Sequence, residues 1–526
     1  MDSTTADLVD ASTQATSHRS AKLQPAIAGI LAALSALATT ELIAGVSSAP
    51  TSLLSSVASL LIRIMPPAIT EFGINTFGTN DKAVLQGSIW LVAILGGAVL
   101  GIAAARWFWV GVLGFVGFGL LGMVAGASDP LATTSLAVIT AAAAGAVGIA
   151  ILAWLVGAAE SAATSPDTGR RGFLGVAAGI AVGIVATTSI GRALLARTRQ
   201  MAASREEVIL PTADVQAAAP PTGASLGVDG ISPLITPNDE FYRIDTALTI
   251  PIVDLDSWRL RIHGMVDRPF EMTFDDLLAM PMVEEHITIA CVSNRVGGDL
   301  IGTAKWLGVP LSEILNRAGV QDGATQIVGR SVDGFTVGFP TETVFDGRQA
   351  LLAVGMNDEP LPLDHGFPAR FVVAGLYGYV SATKWLSDIE LTTWDAFDAY
   401  WVPRGWDKEG PILTSSRIDK PANGAQVDLN VPTIIGGVAW APTRGISKVE
   451  VQINEGAWLE ADMAESISDN TWVQWQLDWT PDTSGGQVIK VRAYDGDGVV
   501  QTDRVAPSKP GAATGYHGRS IFIGEI

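Results

Sequence analysis

The 526-residue sequence holds one cysteine, Cys291, so no intrachain disulfide can form and no second thiol exists for a C-x-x-C zinc site. Histidine is almost as scarce. His18, His263, His286, His365 and His517 all fall outside the long apolar runs, which excludes a membrane haem held by paired span histidines. No C-x-x-C-H motif exists for a covalent haem either, so no haem is expected. Basic residues are also short in the second half. Of 33 Lys+Arg and 53 Asp+Glu, ten and nine lie in residues 1–200, leaving 23 against 44 after them, a net −21. That half lacks the basic footprint a nucleic acid requires, so nucleic-acid partners are excluded. The single thiol leaves the redox compartment open.

Apolar residues are abundant, at 48% with a mean hydropathy of +0.34, too apolar for a wholly soluble chain. Its length suits about three units. Residues 1–22 are polar, and Arg19 and Lys22 stand ahead of an Ala/Leu/Ile run at 24–46, long enough to cross a bilayer that needs about 20 apolar residues. Further spans fit 84–104, 107–126, 131–158 and 172–191. The stretch 51–72 is interrupted by Arg63, Pro66, Pro67 and Glu71. If it does not cross, the N-terminus, Arg106 and the pair Arg170-Arg171 share the cytoplasmic side and everything after about 195 lies outside. The expectation is therefore a cytoplasmic tail (1–22) and a five-span bundle (23–198), multi-pass in the plasma membrane, with the C-terminal domains extracytoplasmic. Arg192, Arg197 and Arg199 run against this topology. Glu41 is the one intramembrane acid that stands out, read as a solvated side chain near a helix end. Thr168-Gly-Arg170-Arg171-Gly-Phe173-Leu174-Gly resembles a twin-arginine export signal, though an ordinary basic anchor fits that octet equally well.

Residues 199–230, rich in Ala, Pro and Gly, read as a linker. Two strands, Leu260–Gly264 and Phe270–Phe274, then a short helix beginning at Asp275-Asp276, open an α+β domain over 231–410. From 411 to 526 short alternating runs such as Lys448–Ile453 and Trp472–Trp479 are separated by turn clusters, the texture of an immunoglobulin-like β-sandwich. Cys291 comes after the β-branched run Ile287-Thr-Ile289 and precedes Gly297-Gly298, so its sulfur should stand at a strand end facing a cleft. A buried free thiol packing as a small hydrophobe is the competing reading.

The pattern Cys291-Val-Ser-Asn294-Arg295, with Trp306-Leu-Gly308-Val-Pro-Leu311 after it, resembles the cysteine loop of the sulfite oxidase family of molybdenum-cofactor enzymes. A second stretch, Asp364-His365-Gly366-Phe367-Pro368-Ala-Arg370, continuing through Gly375 and Gly378 to Thr383-Lys384-Trp385, is similar to the same family's cofactor-binding motif. The likeness covers about residues 231–526. The resemblance implies a molybdopterin-binding α+β fold between the membrane bundle and the sandwich. It also implies two-electron oxygen-atom transfer, with Cys291 as the metal ligand and catalytic residue and the pterin supplying two sulfurs. By the same resemblance the cofactor-binding residues are Asn238, Phe241 and Tyr242 from Asn238-Asp-Glu-Phe241-Tyr242, with Asp333, His365, Arg370, Ala382, Thr383 and Lys384. Fixed cationic donors suit a buried phosphate, best a planar Arg. A cofactor inserted in the cytosol would need to cross the membrane in a folded domain, which links the motif to the Arg170-Arg171 pair. The partners implied are a small oxyanion, a sulfoxide or a similar substrate, a separate electron carrier, and a second copy of the chain through the immunoglobulin-like domain.

The chain departs from the sulfite oxidisers where their anion is held. Val296 stands after Arg295 in place of a second Arg, Pro237 stands where they carry an Arg before the Asn, and Val354 replaces an active-site Tyr. Sulfite should bind poorly here. Two other readings stay open on the sequence: an extracytoplasmic binding module that keeps the fold without molybdenum, and a membrane-complex subunit.

Overall fold

The computed structural model describes residues 4–47, 52–66, 69, 72–73, 76–77, 80–164, 166–201 and 204–524. The chain divides into two compact units, Met1–Ala202 with Ala247–Ile252, and Ala203–Thr246 with Val253–Ile526.

The first unit is helical: α1 Thr4–Val46, α2 Leu53–Ile64, α3 Asp81–Ala104, α4 Phe108–Ser128, α5 Thr134–Thr164 and α6 Pro166–Met201. Among the described residues five stretches are long and apolar enough to cross a membrane: Leu23–Val46, Asp81–Ala104, Phe108–Ser128, Thr134–Ser161 and Arg171–Arg197. The helix α2 has 12 residues. At 1.5 Å per residue it spans about 18 Å, too short to cross alone. Pro67 and Glu71, which help to interrupt the 51–72 stretch, lie outside the described residues, as do the side chains of residues 1–22, including His18, and of Arg170. The backbone of the polar tail is helical from Thr4. Large apolar side chains point outward (Leu91, Val92, Leu95, Leu113, Val182) while small residues pack inside. A Cβ on Gly29 of α1 would stand 1.9 Å from Gly97 O of α3, so only glycine allows this crossing. That inside-out arrangement suits a lipid solvent, where close backbone packing takes over from the hydrophobic effect. Glu41 is not solvated. It is 5% exposed, with Arg192 Nε of α6 at 3.7 Å, because α1 and α6 meet closely there, Gly191 against the Glu41 backbone.

The second unit begins with extended chain that is anything but a free linker. Arg205 donates from Nη2 to Pro360 O (2.8 Å), Asp214 N to Met282 O (2.8 Å) and Leu226 N to Gln474 Oε1 (2.8 Å). Its Ala/Pro/Gly composition hides the last two, since a backbone N–H makes such a bond whatever the side chain. Two sheets come next. One has the order β2 (Phe270–Met272), β1 (Leu260–Gly264), β10 (Leu386–Thr392), β5 (Gln326–Ser331), β6 (Thr336–Pro340); the other has β3 (Val283–Ala290), β4 (Ile301–Pro310), β7 (Ala350–Met356), β8 (Glu359–Pro360), with β9 (Arg370–Val373) also on β7. The short helix α7 (Phe274–Leu278) starts one residue before the Asp pair, because Thr273 caps it reciprocally with Asp276. The helices α8 (Leu311–Ala318) and α9 (Gly378–Ser381) complete this part. Its core joins Phe241, Ile287, Ile289, Trp306, Leu351 and Phe367.

The remaining strands form a β-sandwich: β11 (Ser415–Lys420), β13 (Thr433–Trp440), β17 (Val473–Trp479) and β16 (Asp462–Met463) in one sheet; β12 (Gln426–Asp428), β19 (His517–Gly524), β18 (Gly485–Asp495), β14 (Ile446–Ile453) and β15 (Trp458–Glu460) in the other. Ile418, Ile435, Trp475, Val451, Val491 and Ile521 share the core between them. His517 opens β19 buried, and burial, with Arg519 and Arg417 nearby, brings its pKa down to about 4. An unfolded His takes up its proton near 6.5, so as pH falls from 6.5 to 4 the unfolded chain binds the proton first and stability is lost across that window. The expected loss from this residue is as much as about 3 kcal/mol. Denaturant titrations of wild type and His517→Gln at pH 7 and pH 4.5 should show a clearly smaller acid loss in the variant.

Candidate active site

Cys291 is the residue after β3, whose last four residues are all buried, so a run with both faces covered delivers the thiol to the end of the strand. The loop beyond is closed on itself. Cys291 N donates to Leu300 O (2.9 Å), Asn294 N to Cys291 O (3.0 Å), and Leu300 N to Asn294 Oδ1 (3.1 Å). The thiol is 7% exposed and lines a cleft with Phe241, Tyr242, Asp245, Asp333, Arg370, Ala382 and Lys384. Burial raises the Cys291 pKa, while hydrogen bonds with Ser293 and the charge of Lys384 pull it down. Burial prevails even with Lys384 nearby, so the free thiol holds its proton, and a bound metal would supply the charge that keeps it a thiolate.

Three charged or polar side chains stand behind the thiol. Arg370, at the start of β9, donates Nη1 to His365 O (3.0 Å) and lies over the Trp306 ring at 5.1 Å. Burial brings its pKa down to about 10, against the raising influence of Tyr242. Lys384 donates to Asp364 O (2.8 Å) and pairs with Asp245 Oδ2 at 3.4 Å. Burial lowers it to about 8, Asp245 opposing. His365 is lowered by burial to about 4 and is neutral at ordinary pH. Its Nε2 faces Asn238 O at 3.0 Å, an acceptor, so Nε2 carries the proton. That leaves Nδ1 as a bare lone pair, and Nδ1 is buried without a partner, as is Thr383 Oγ1. Two orphaned polar atoms beside two buried cations are what an absent polar, phosphate-bearing group would satisfy. The residues present fit molybdopterin. His365 Nδ1 would accept from a pterin N–H, and Arg370 and Lys384 would face the phosphate.

Of the ten candidate residues, Phe241, Tyr242, Cys291, Asp333, Arg370, Ala382 and Lys384 line the one cleft. Asn238, His365 and Thr383 do not. The Asn238 carboxamide is engaged elsewhere: its Nδ2 donates to Met356 O (3.2 Å) and Glu359 Oε1 (2.9 Å), and its Oδ1 accepts from Asn357 Nδ2 (2.9 Å). It ties its segment to the β7–β8 turn and reaches the site only through its carbonyl on His365. Phe241 and Tyr242 stack at 5.3 Å and form an apolar wall. Burial pushes the Tyr242 hydroxyl well above its usual range, the nearby Cys291 adding to the effect and Arg370 opposing it. Asp333 both caps the β5–β6 turn, accepting from Phe335 N (3.0 Å), and lines the cleft, where burial raises its pKa. Of the positions that depart from the sulfite oxidisers, Val354 is fully buried in β7, and neither it nor Val296 nor Pro237 lines the cleft.

Sequence reasoning missed Asp245, Ser293, Tyr379, Trp401 and Trp406, which also line the cleft. The cluster Trp394, Phe397, Tyr400, Trp401 and Trp406 was the available signal for the last two. Trp401 packs edge-on against Trp406 at 6.1 Å, and Tyr379 lies 5.9 Å from Trp406.

The family described as "Oxidoreductase molybdopterin binding domain" matches residues 247–401. The chain is 34% identical over 164 residues to the "Uncharacterized oxidoreductase YuiH" of Bacillus subtilis, covering 31% of this chain and 79% of that one. It is 30% identical over 323 residues to mitochondrial sulfite oxidase of Rattus norvegicus, covering 52% of this chain, and so spans 58% of the length of that relative. Among solved structures it is similar to the sulfane dehydrogenase SoxCD from Paracoccus pantotrophus, at 23% identity with a TM-score of 0.48 over 55% of this chain and 82% of that one. The cleft and the sequence matches together define a molybdopterin-binding oxidoreductase. Within that class, the chain belongs to the sulfite oxidase family.

Proposed function

We propose that this chain is a membrane-anchored oxidoreductase that holds a molybdenum-molybdopterin cofactor in the Cys291 cleft, moves one oxygen atom in a two-electron reaction, and carries its second unit outside the cytoplasm. The observation that carries the reading is that Cys291 and two buried cations, Arg370 and Lys384, open on one cleft, while His365, whose carbonyl accepts from Arg370, keeps a buried, unpartnered Nδ1. When bound, the cofactor supplies the two-electron oxygen-atom chemistry. The chain's own work is to hold and orient it. Cys291 offers the sulfur ligand, the Phe241–Tyr242 pair keeps one wall dry, and Arg370 and Lys384 offset the phosphate charge.

Location and partners depend on the same cofactor. Glu41 and Gly45 of α1 meet Gly191 and Arg192 of α6, and Ala28 and Leu31 share a core with Phe173 and Ala177, so the two helices run parallel, as the first and fifth of five spans would. Pairing with Glu41 also offsets the charge of Arg192, one of the three arginines that run against an outside location for the second unit. A twin-arginine role for Arg170-Arg171 fits a domain loaded before export. The β-sandwich, read as immunoglobulin-like, would serve a homodimer, and electrons would pass to or from a separate carrier. Protein purified from a cofactor-competent host should contain about one molybdenum and one pterin per chain by metal and pterin assay. A folded chain that carries neither from such a host overturns the enzymatic reading in favour of a binding module.

A further inference from the structure

Arg417, a buried arginine of β11 in the sandwich, bridges distant stretches of the second unit. Its three nitrogens go to three separate stretches. Nε donates to Asp419 Oδ1 (2.6 Å), Nη1 to Gly298 O (2.7 Å) in the loop that carries Cys291, and Nη2 to Ser232 Oγ (2.6 Å) in the stretch that runs on to Asn238. Asp419 completes the bridge by accepting from Ser232 N through Oδ2 (2.9 Å). Beside it, the His517 ring closes on Gly297. A Cβ built on Gly297, whose φ is +77°, would stand 2.2 Å from His517 Nε2, while Nδ1 accepts from Ile418 N (2.9 Å) and fixes the ring. The sandwich also grips the strand behind the thiol. Trp472 N donates to Thr288 Oγ1 (2.8 Å), and Trp472 Nε1 to Leu234 O (2.8 Å).

We propose that Arg417 is a positioning residue that sets where the Cys291 sulfur stands relative to the Asn238–Tyr242 wall, so that the β-sandwich is part of the active-site apparatus as well as a separate module. The loop itself ends in Gly297-Gly298, two residues with the least intrinsic rigidity, and its internal bonds run from Cys291 to Leu300 without reaching the opposite wall. Thr236 N donates to Thr303 O (2.8 Å) and ties the wall segment to β4, so what remains to be fixed is the loop, and that takes a tie from outside it. A guanidinium provides it because its donors diverge in one rigid plane, and three acceptors on three segments can be held at a set angle at once. A lysine at the same place keeps the charge and can reach only part of that triangle.

Because Cys291 is the only thiol, its alkylation rate reads the loop at one atom. The test uses the full chain, purified without cofactor from a host that cannot make it, folded and treated with iodoacetamide. Arg417→Lys is expected to label about tenfold faster than wild type, the effect of losing charge-assisted bonds that oppose local opening. His517→Ala, which frees the space against Gly297, is expected to accelerate labelling too, and reports on the same brace should Arg417→Lys fail to fold. Arg519→Gln is the control. Among the described residues Arg519 donates to Ile418 O in the same sandwich (3.3 and 3.2 Å) and to neither the loop nor the wall, so its loss should change the rate less than about twofold. A wild-type rate in folded Arg417→Lys, or equal acceleration by Arg519→Gln, overturns the proposal. The assay does not depend on what the cleft binds. A chain lacking molybdenum would leave the brace standing, and an unchanged labelling rate would leave the oxidoreductase reading intact.

Discussion

Cys291→Ser is expected to lose at least about a thousandfold in turnover while keeping most of the pterin, an effect of about 4 kcal/mol on the reacting centre. The two outcomes separate because the structure separates the two grips. The polar atoms suited to an organic, phosphate-bearing group belong to His365, Arg370, Thr383 and Lys384, all downstream of β8, whereas the thiol comes from the end of β3 on another segment. Serine is nearly the size of cysteine, so the buried site should remain packed. A hydroxyl is a harder ligand than a thiolate and hardly ionises, so it would leave the metal electronically altered or lost. The measurements are turnover, molybdenum and pterin on one preparation. Turnover within tenfold of wild type would remove Cys291 from the chemistry. Loss of pterin along with activity would show that the thiol is part of the organic grip, contrary to the division drawn from the cleft.

Local pattern made some of this legible in advance. The run Ile287-Thr-Ile289 before a lone Cys and a Gly pair was enough to place the sulfur at a strand end facing a cleft, because a buried strand and a flexible turn are both written in neighbouring residues. The five apolar stretches were legible for the same reason, and the 12-residue length of α2 agrees with reading 51–72 as not crossing. Features set by distant contacts were not legible. Asn238 is spent on Met356, Glu359 and Asn357, more than a hundred residues away, and nothing in the Asn238–Tyr242 segment announces it. Glu41 looks like a solvated acid in one dimension, and only the approach of Gly191 puts Arg192 beside it. The same holds for residues 204–230, whose backbone groups find partners in the fold that their side chains do not name. Asp245 was missed because an isolated Asp carries no pattern. It matters only because folding sets it between Arg243 and Lys384.

Sulfite should be a poor substrate, with kcat/KM at least about a hundredfold to a thousandfold below that of a neutral sulfur-centred or nitrogen-centred substrate. A small dianion entering the cleft must give up its water and be repaid by fixed cations. Only two cations line the cleft among the described residues, and on the proposed reading both face the cofactor's phosphate, which leaves neither for a substrate anion. Arg370 gives Nη1 to the His365 carbonyl, and Lys384 is shared between the Asp364 carbonyl and Asp245. The remaining walls make matters worse for an anion. Asp245 contributes negative charge, Phe335, Tyr379, Trp401 and Trp406 contribute mainly apolar surface, and Tyr379 already donates its hydroxyl proton to backbone carbonyls at Asp407 (2.8 Å) and Glu409 (2.9 Å). Aromatic walls instead favour a substrate whose reacting atom is flanked by carbon, since each buried CH₂ group is worth about 0.8 kcal/mol. Steady-state rates with an artificial electron acceptor or donor, comparing sulfite with organic sulfoxides and amine oxides, decide the matter. Sulfite turnover at the rate of a dedicated sulfite oxidase would mean that cations outside the cleft lining, such as Arg295, move in when the anion binds.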